Sequence, residues 1–130
     1  MYGKTNAGAP TGGIEMVKLW ENASPTSGLA AQTLNFNIPE NATVFIYCVN
    51  TSRPNDVFLA GAGQVGDNVI LSMARGQTST FDGFRVQNEL RSATITANGI
   101  TFGSGYYFTG SAFATANAAC SPVKITMIGG

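Results

Sequence analysis

A chain of 130 residues with 44% apolar side chains is long enough to build one core and too apolar to stay disordered. Only 11% of its residues are charged, and seven Lys plus Arg balance seven Asp plus Glu. The basic footprint of a nucleic-acid binder or a membrane-surface protein is therefore missing. There is no His, which excludes Ser-His and Cys-His catalytic pairs and every His-ligated metal site.

The place of charged residues is taken by 14 Thr, 9 Ser and 11 Asn, beside 16 Gly and 16 Ala. Lys and Glu, which solvate helix surfaces, number only three and four. Hydroxyls suit the outer face of a strand, and Gly and Asn suit turns. The composition predicts an all-β domain with a neutral surface that tends to associate. No run of about 18 apolar residues is present to form a transmembrane helix. Met1-Tyr2-Gly3-Lys4-Thr5-Asn6 lacks the apolar segment of a signal peptide, so synthesis in the cytoplasm without export is expected.

Residues 1–13 read as a flexible Gly-rich arm, and residues 14–130 as a single domain. Ile14 to Trp20 reads as a first strand, and Glu21 to Gly28 as a turn cluster. Leu34, Phe36 and Ile38 alternate with polar residues, so a strand is expected there. Thr43 to Val49 reads as a central strand covered on both faces. Val57-Phe58-Leu59 is a short strand. Val69, Leu71 and Met73 mark another, ending at Arg75-Gly76. Phe81, Phe84 and Val86 form the next strand region, with Asp82-Gly83 as a tight turn or bulge. Ala93, Ile95 and Ala97 then alternate with Thr, and Asn98-Gly99 is a strong hairpin signal. Gly103-Ser104-Gly105 reads as a turn before Tyr106-Tyr107-Phe108. Ser111 to Ala119 reads as a loop or a short helical turn. Val123, Ile125 and Met127 mark the last strand. Eight or nine short strands predict an antiparallel two-sheet β-sandwich of jelly-roll type, with a closed barrel as the alternative.

Few groups offer chemistry. Gly61-Ala62-Gly63-Gln64-Val65-Gly66 matches a dinucleotide fingerprint, but the segment after it alternates as a strand, so a surface loop is expected. The carboxylates Glu15, Glu21, Glu40, Asp56, Asp67, Asp82 and Glu89 sit beside turns or on polar strand faces, where solvated charges are expected. No catalytic residue, cofactor or metal site is assigned. Trp20, Tyr106 and Tyr107 are candidates for stacking on a sugar or for an interface, against the plainer reading of core packing. Cys48 and Cys120 are expected to be buried and reduced, with a disulfide as the alternative.

Lys18-Leu19-Trp20, Asn22 to Ser27, Ala30 to Thr33, Asn98 to Tyr107 and Cys120 to Ile125 resemble phrases in a family of small phage and prophage structural proteins of Gram-positive gut bacteria. Glu21 and Thr126-Met127 depart from the family pattern. The resemblance implies a non-enzymatic virion component: a tail-tip, fibre or head-appendage module. It implies a homo-oligomer (a trimer by analogy with viral fibres), contact with other virion proteins, and attachment to a host-surface glycan. A carbohydrate-binding module is the alternative reading, and a polysaccharide-degrading enzyme the third.

Overall fold

The computed structural model describes residues 15–79, 83–109 and 112–129. The expected arm over residues 1–13 and the expected Asp82-Gly83 turn residue Asp82 lie outside the described residues.

Among the described residues nine strands form two antiparallel sheets: β1 (Met16–Glu21), β2 (Gln32–Asn35), β3 (Thr43–Val49), β4 (Phe58–Gly63), β5 (Asn68–Ser79), β6 (Gly83–Thr96), β7 (Gly99–Thr109), β8 (Ala112–Thr115) and β9 (Ser121–Ile128). One sheet has the order β1-β9-β3-β4, and the other β2-β7-β6-β5 with β8 on β7. The chain is a β-sandwich, as the turn spacing predicts. Its outer pairs nest as in a jelly roll: β1 lies beside β9, and β2 beside β7. The β3–β4 hairpin, however, stays within one sheet.

The core lies between the sheets. Val44, Ile46, Cys48 and Ile125 of the first sheet meet Leu71, Ala93, Ile95, Ile100 and Phe102 of the second. β3 is central, but only its inner face is fully covered; Phe45 and Tyr47, on the outer face, are half-buried. The ammonium of Lys124 sits 4.9 Å from the Tyr47 ring centre on that outer face. Lys18 and Glu21 form an exposed ion pair nearby. The hydrogen bond and charge of Lys18 hold the Glu21 carboxyl below the usual range.

Several expected elements change shape, each for a local reason. β2 stops at Asn35, because the next residues bond the β6–β7 hairpin tip instead of a strand. Phe36 N–H donates to Asn98 O at 3.1 Å, and Ile38 N–H to Ala97 O at 3.0 Å. The hairpin loop is Ala97-Asn98, one residue earlier than the Asn98-Gly99 signal suggests, since Thr96 pairs with Gly99. The expected Gly103-Ser104-Gly105 turn is a bulge inside β7: Arg91 pairs with Gly105, but Ala93 pairs with Phe102. β5 runs past Arg75-Gly76 to Ser79, and β6 joins two expected strand regions into 14 residues. The stretch expected as loop or helical turn contains β8.

The Gly61–Gly66 motif is not a phosphate loop. Gly61 and Gly63 lie within β4, close under Leu71 and Val69, where a Cβ on Gly61 would come within 2.8 Å of Leu71. The following turn uses its amides internally: Gln64 N–H donates to Asp67 Oδ2 and Gly66 N–H to Ile95 O, each at 2.8 Å. The next element is a strand, so no helix N-terminus is there to bind an anion.

Candidate functional site

Two features stand apart from ordinary sandwich packing: a buried polar knot between the sheets and an aromatic cluster on an outer face. The knot belongs to β6. Ala93 and Ile95 face the core, and strand alternation carries the same face back to Arg91, Glu89 and Gln87. Glu89 is 0% exposed and Arg91 1%. The expectation that Glu89 is a solvated surface charge is therefore corrected. It lies inward because β6 is continuous there and cannot turn one side chain out without a bulge.

A buried charge is tolerated only when its hydrogen bonds are complete. Arg91 completes them with five carbonyls. Nε donates to Cys120 O at 2.9 Å, Nη1 to Leu29 O and Gly103 O at 2.7 and 2.9 Å, and Nη2 to Asn117 O and Ala119 O at 3.1 and 3.0 Å. All five guanidinium donors are thus placed. One side chain ties together the segment before β2, the β7 bulge and the turn before β9. Gly105 makes room for it: a Cβ there would lie 2.7 Å from Arg91 Nη2 and collide with the carbonyls of Ala116 and Ala119. Burial pulls the guanidinium below its ordinary pKa, and the neighbouring Cys120 and Cys48 thiols act in the opposite direction.

Glu89 is satisfied in the same way. Oε1 accepts the Cys120 N–H at 2.7 Å; Oε2 accepts from Gln87 at 2.6 Å, Asn50 at 2.9 Å and Arg75 at 3.3 Å. Its two oxygens accept four hydrogen bonds inside the sandwich, and no part of the side chain reaches water. Among the described residues no cluster of His, Cys, Asp or Glu could hold a metal ion, and no helix is long and apolar enough to cross a membrane.

Cys48 and Cys120 are both buried and free, as expected. Burial, and then the hydrogen bond with the Cys120 thiol, push the Cys48 thiol well above the usual range. A thiol pKa raised by folding stabilises the protein fully below the unfolded thiol value and progressively less as pH rises above it. The reduced protein should therefore lose stability as pH rises above the ordinary thiol range, from this group alone. Urea midpoints measured against pH should show that alkaline slope, and Cys48→Ala should flatten it.

The structure separates the three expected aromatics. Trp20 lies in β1. A bulge pairs Lys18 with Thr126 but Trp20 with Ile125, which turns the indole inward onto the core. Tyr107 pairs with inward Glu89 and Tyr106 with outward Leu90, so the two tyrosines point to opposite faces. They do not form one platform with each other or with Trp20.

Tyr106 instead joins Phe108 and Phe113 on the outer face of the second sheet. Phe113 pairs with Phe108 across β7–β8. Its ring centre is 5.3 Å from Tyr106, nearly parallel at 16°, and 4.9 Å from Phe108, tilted at 45°. Phe113 is 59% exposed. Leu90, Val86 and Ile70 continue the face, the last two exposed. Among the described residues, this outer face carries no charged side chain; Asn68, Ser72, Asn88, Ser92, Thr94, Thr101 and Thr115 fill the rest. Phe113 escaped the sequence reading because it sits in an Ala-rich stretch, although Ala112-Phe113-Ala114-Thr115 has a strand's alternation. No family model matches the chain, and neither a curated protein nor a solved structure is significantly similar to it.

Proposed function

We propose that this chain is a non-enzymatic structural protein of a phage particle, a tail-tip, fibre or head-appendage module that acts by associating with copies of itself and with other particle proteins. The observation that carries the self-association is the uncharged outer face of β5-β6-β7-β8, where Tyr106, Phe108 and Phe113 cluster in reach of water. Exposed aromatics ringed by small polar side chains are typical of protein contacts. The balanced charge of the chain adds no long-range repulsion between copies. The buried, hydrogen-bonded Glu89 and the lack of His support a role in contact over one in catalysis. The phage assignment rests on the resemblance of sequence phrases.

Sedimentation velocity tests the association. The protein should sediment as an oligomer, and Phe113→Ser should shift it toward monomer. Because Phe113 is exposed, its replacement should change unfolding free energy by only about 0.5 kcal/mol. A strict monomer at high concentration would overturn the reading.

The aromatic cluster also favours a second reading, carbohydrate binding, since Tyr106 offers a flat ring with a polar edge. Glycan-array binding lost on Tyr106→Ala, with the oligomer unchanged, would support it. Trp20, turned onto the core, is not part of that surface.

A further inference from the structure

Cys48 and Cys120 are the two cysteines of the sequence, and the fold brings them together inside the sandwich. Cys48 lies in β3, flanked by β4 and β9; Cys120 closes the turn that leads into β9. Both are 0% exposed, and Cys48 pairs with Pro122, two residues after Cys120, so the two cysteines lie diagonally across the β3–β9 pairing. The backbone at Cys120 has φ 44°, and it is the only non-glycine residue with positive φ among the described residues. A side chain with a Cβ avoids that conformation unless its surroundings impose it. Here two buried charges impose it, Glu89 accepting the Cys120 N–H and Arg91 donating to its carbonyl. The knot thus holds a strained residue at the entry to β9, the strand that pairs with Cys48.

We propose that Cys48 and Cys120 are a disulfide-forming pair, oxidised by a small-molecule disulfide to a bond that ties β3 to the turn before β9. The reaction is two thiol–disulfide exchanges. The Cys120 thiolate, reached by opening of its turn, attacks the small disulfide, forms a mixed disulfide and expels one thiolate. The Cys48 thiolate then attacks the Cys120 sulfur and expels the second. The protein loses two protons and two electrons; the small disulfide is reduced to two thiols, which take them up. Cys48, in a central strand, is the resolving partner, because attack on it first would require the sheet itself to open. The inference stands independently of the particle-assembly reading, since it concerns the folded chain alone.

The experiment equilibrates the full chain with oxidised glutathione, quenches by acid, and alkylates under denaturing conditions before intact-mass and peptide analysis. The expected product is a monomeric chain lighter by two hydrogens, with neither cysteine alkylated and the Cys48 peptide joined to the Cys120 peptide. Its Tm should exceed that of the reduced chain by on the order of 10 °C, because the bond closes a long loop of the unfolded state. Cys48→Ala, which keeps Cys120 and its backbone clamp, should show no such rise. Two alkylated thiols at equilibrium, glutathione adducts in place of the internal bond, or an oxidised chain no more stable than the reduced one would each overturn the proposal.

Discussion

Replacing Arg91 with Met should bring the protein to the edge of unfolding. Met keeps an unbranched chain of similar length but donates nothing, so five carbonyls, of Leu29, Gly103, Asn117, Ala119 and Cys120, lose their common donor inside the domain. Removing one partner from a buried charged network costs about 3–5 kcal/mol, a large share of the 5–15 kcal/mol by which domains of about this size are stable. Glu89 suffers as well, because the turn carrying the Cys120 N–H loses its other anchor. Arg91→Lys should recover less than half of the loss, since an ammonium cannot reproduce a planar fork of five donors. Urea unfolding followed by circular dichroism measures both variants. An Arg91→Met protein within about 1 kcal/mol of the parent would mean that the three segments are held by the apolar core and not by the guanidinium.

Gly99→Ala should cost about 2–4 kcal/mol, through overpacking as well as backbone strain. Gly99 has φ 149°, and a Cβ built there collides with the carbonyl oxygen of Leu34 in β2. β2 has only four residues and, among the described residues, pairs only with β7, so it would yield before β7 does. Gly66→Ala is the control. Gly66 has φ 101° but nothing within 4 Å of a Cβ, so it carries the backbone penalty alone, about 1 kcal/mol. Unfolding free energies that rank the two substitutions equally would show that the contact with β2 is not what requires glycine at Gly99.

The sandwich was legible because its signals are local. Alternation at Val69, Leu71 and Met73, the apolar run from Thr43 to Val49 and the Asn98-Gly99 pair each mark a strand or hairpin without reference to the rest of the chain. The errors arose where a distant partner decides the outcome. Phe36 and Ile38 alternate like a strand, yet their amides find the hairpin tip at Ala97 and Asn98. Gly103 to Gly105 look like a turn, but Arg91 needs the space that Gly105 leaves. The knot was half-legible. The face of Ala93 and Ile95 leads back to Arg91 and Glu89, but the polarity of those residues argued for solvent. Only the fold shows which backbone groups wait to pair with them. The aromatic cluster was legible at Tyr106 and not at Phe113, whose strand carries too few β-formers to announce itself.

The position of β9 governs how the molecule can be built during synthesis. Among the described residues β1 pairs with β9 alone, and β9 separates it from β3. β1 therefore lacks its described neighbour until residues 121–128 leave the ribosome, and the carbonyls of Asn117, Ala119 and Cys120 reach Arg91 only shortly before that. Until then β3 and β4 can pair, as can β5, β6 and β7, but the first sheet lacks the strand that sits between β1 and β3. Contacts between residues so far apart in sequence slow folding. Until β9 arrives, the edges of β1 and β3 that it occupies stay unpaired, and the chain is at its greatest risk of aggregation.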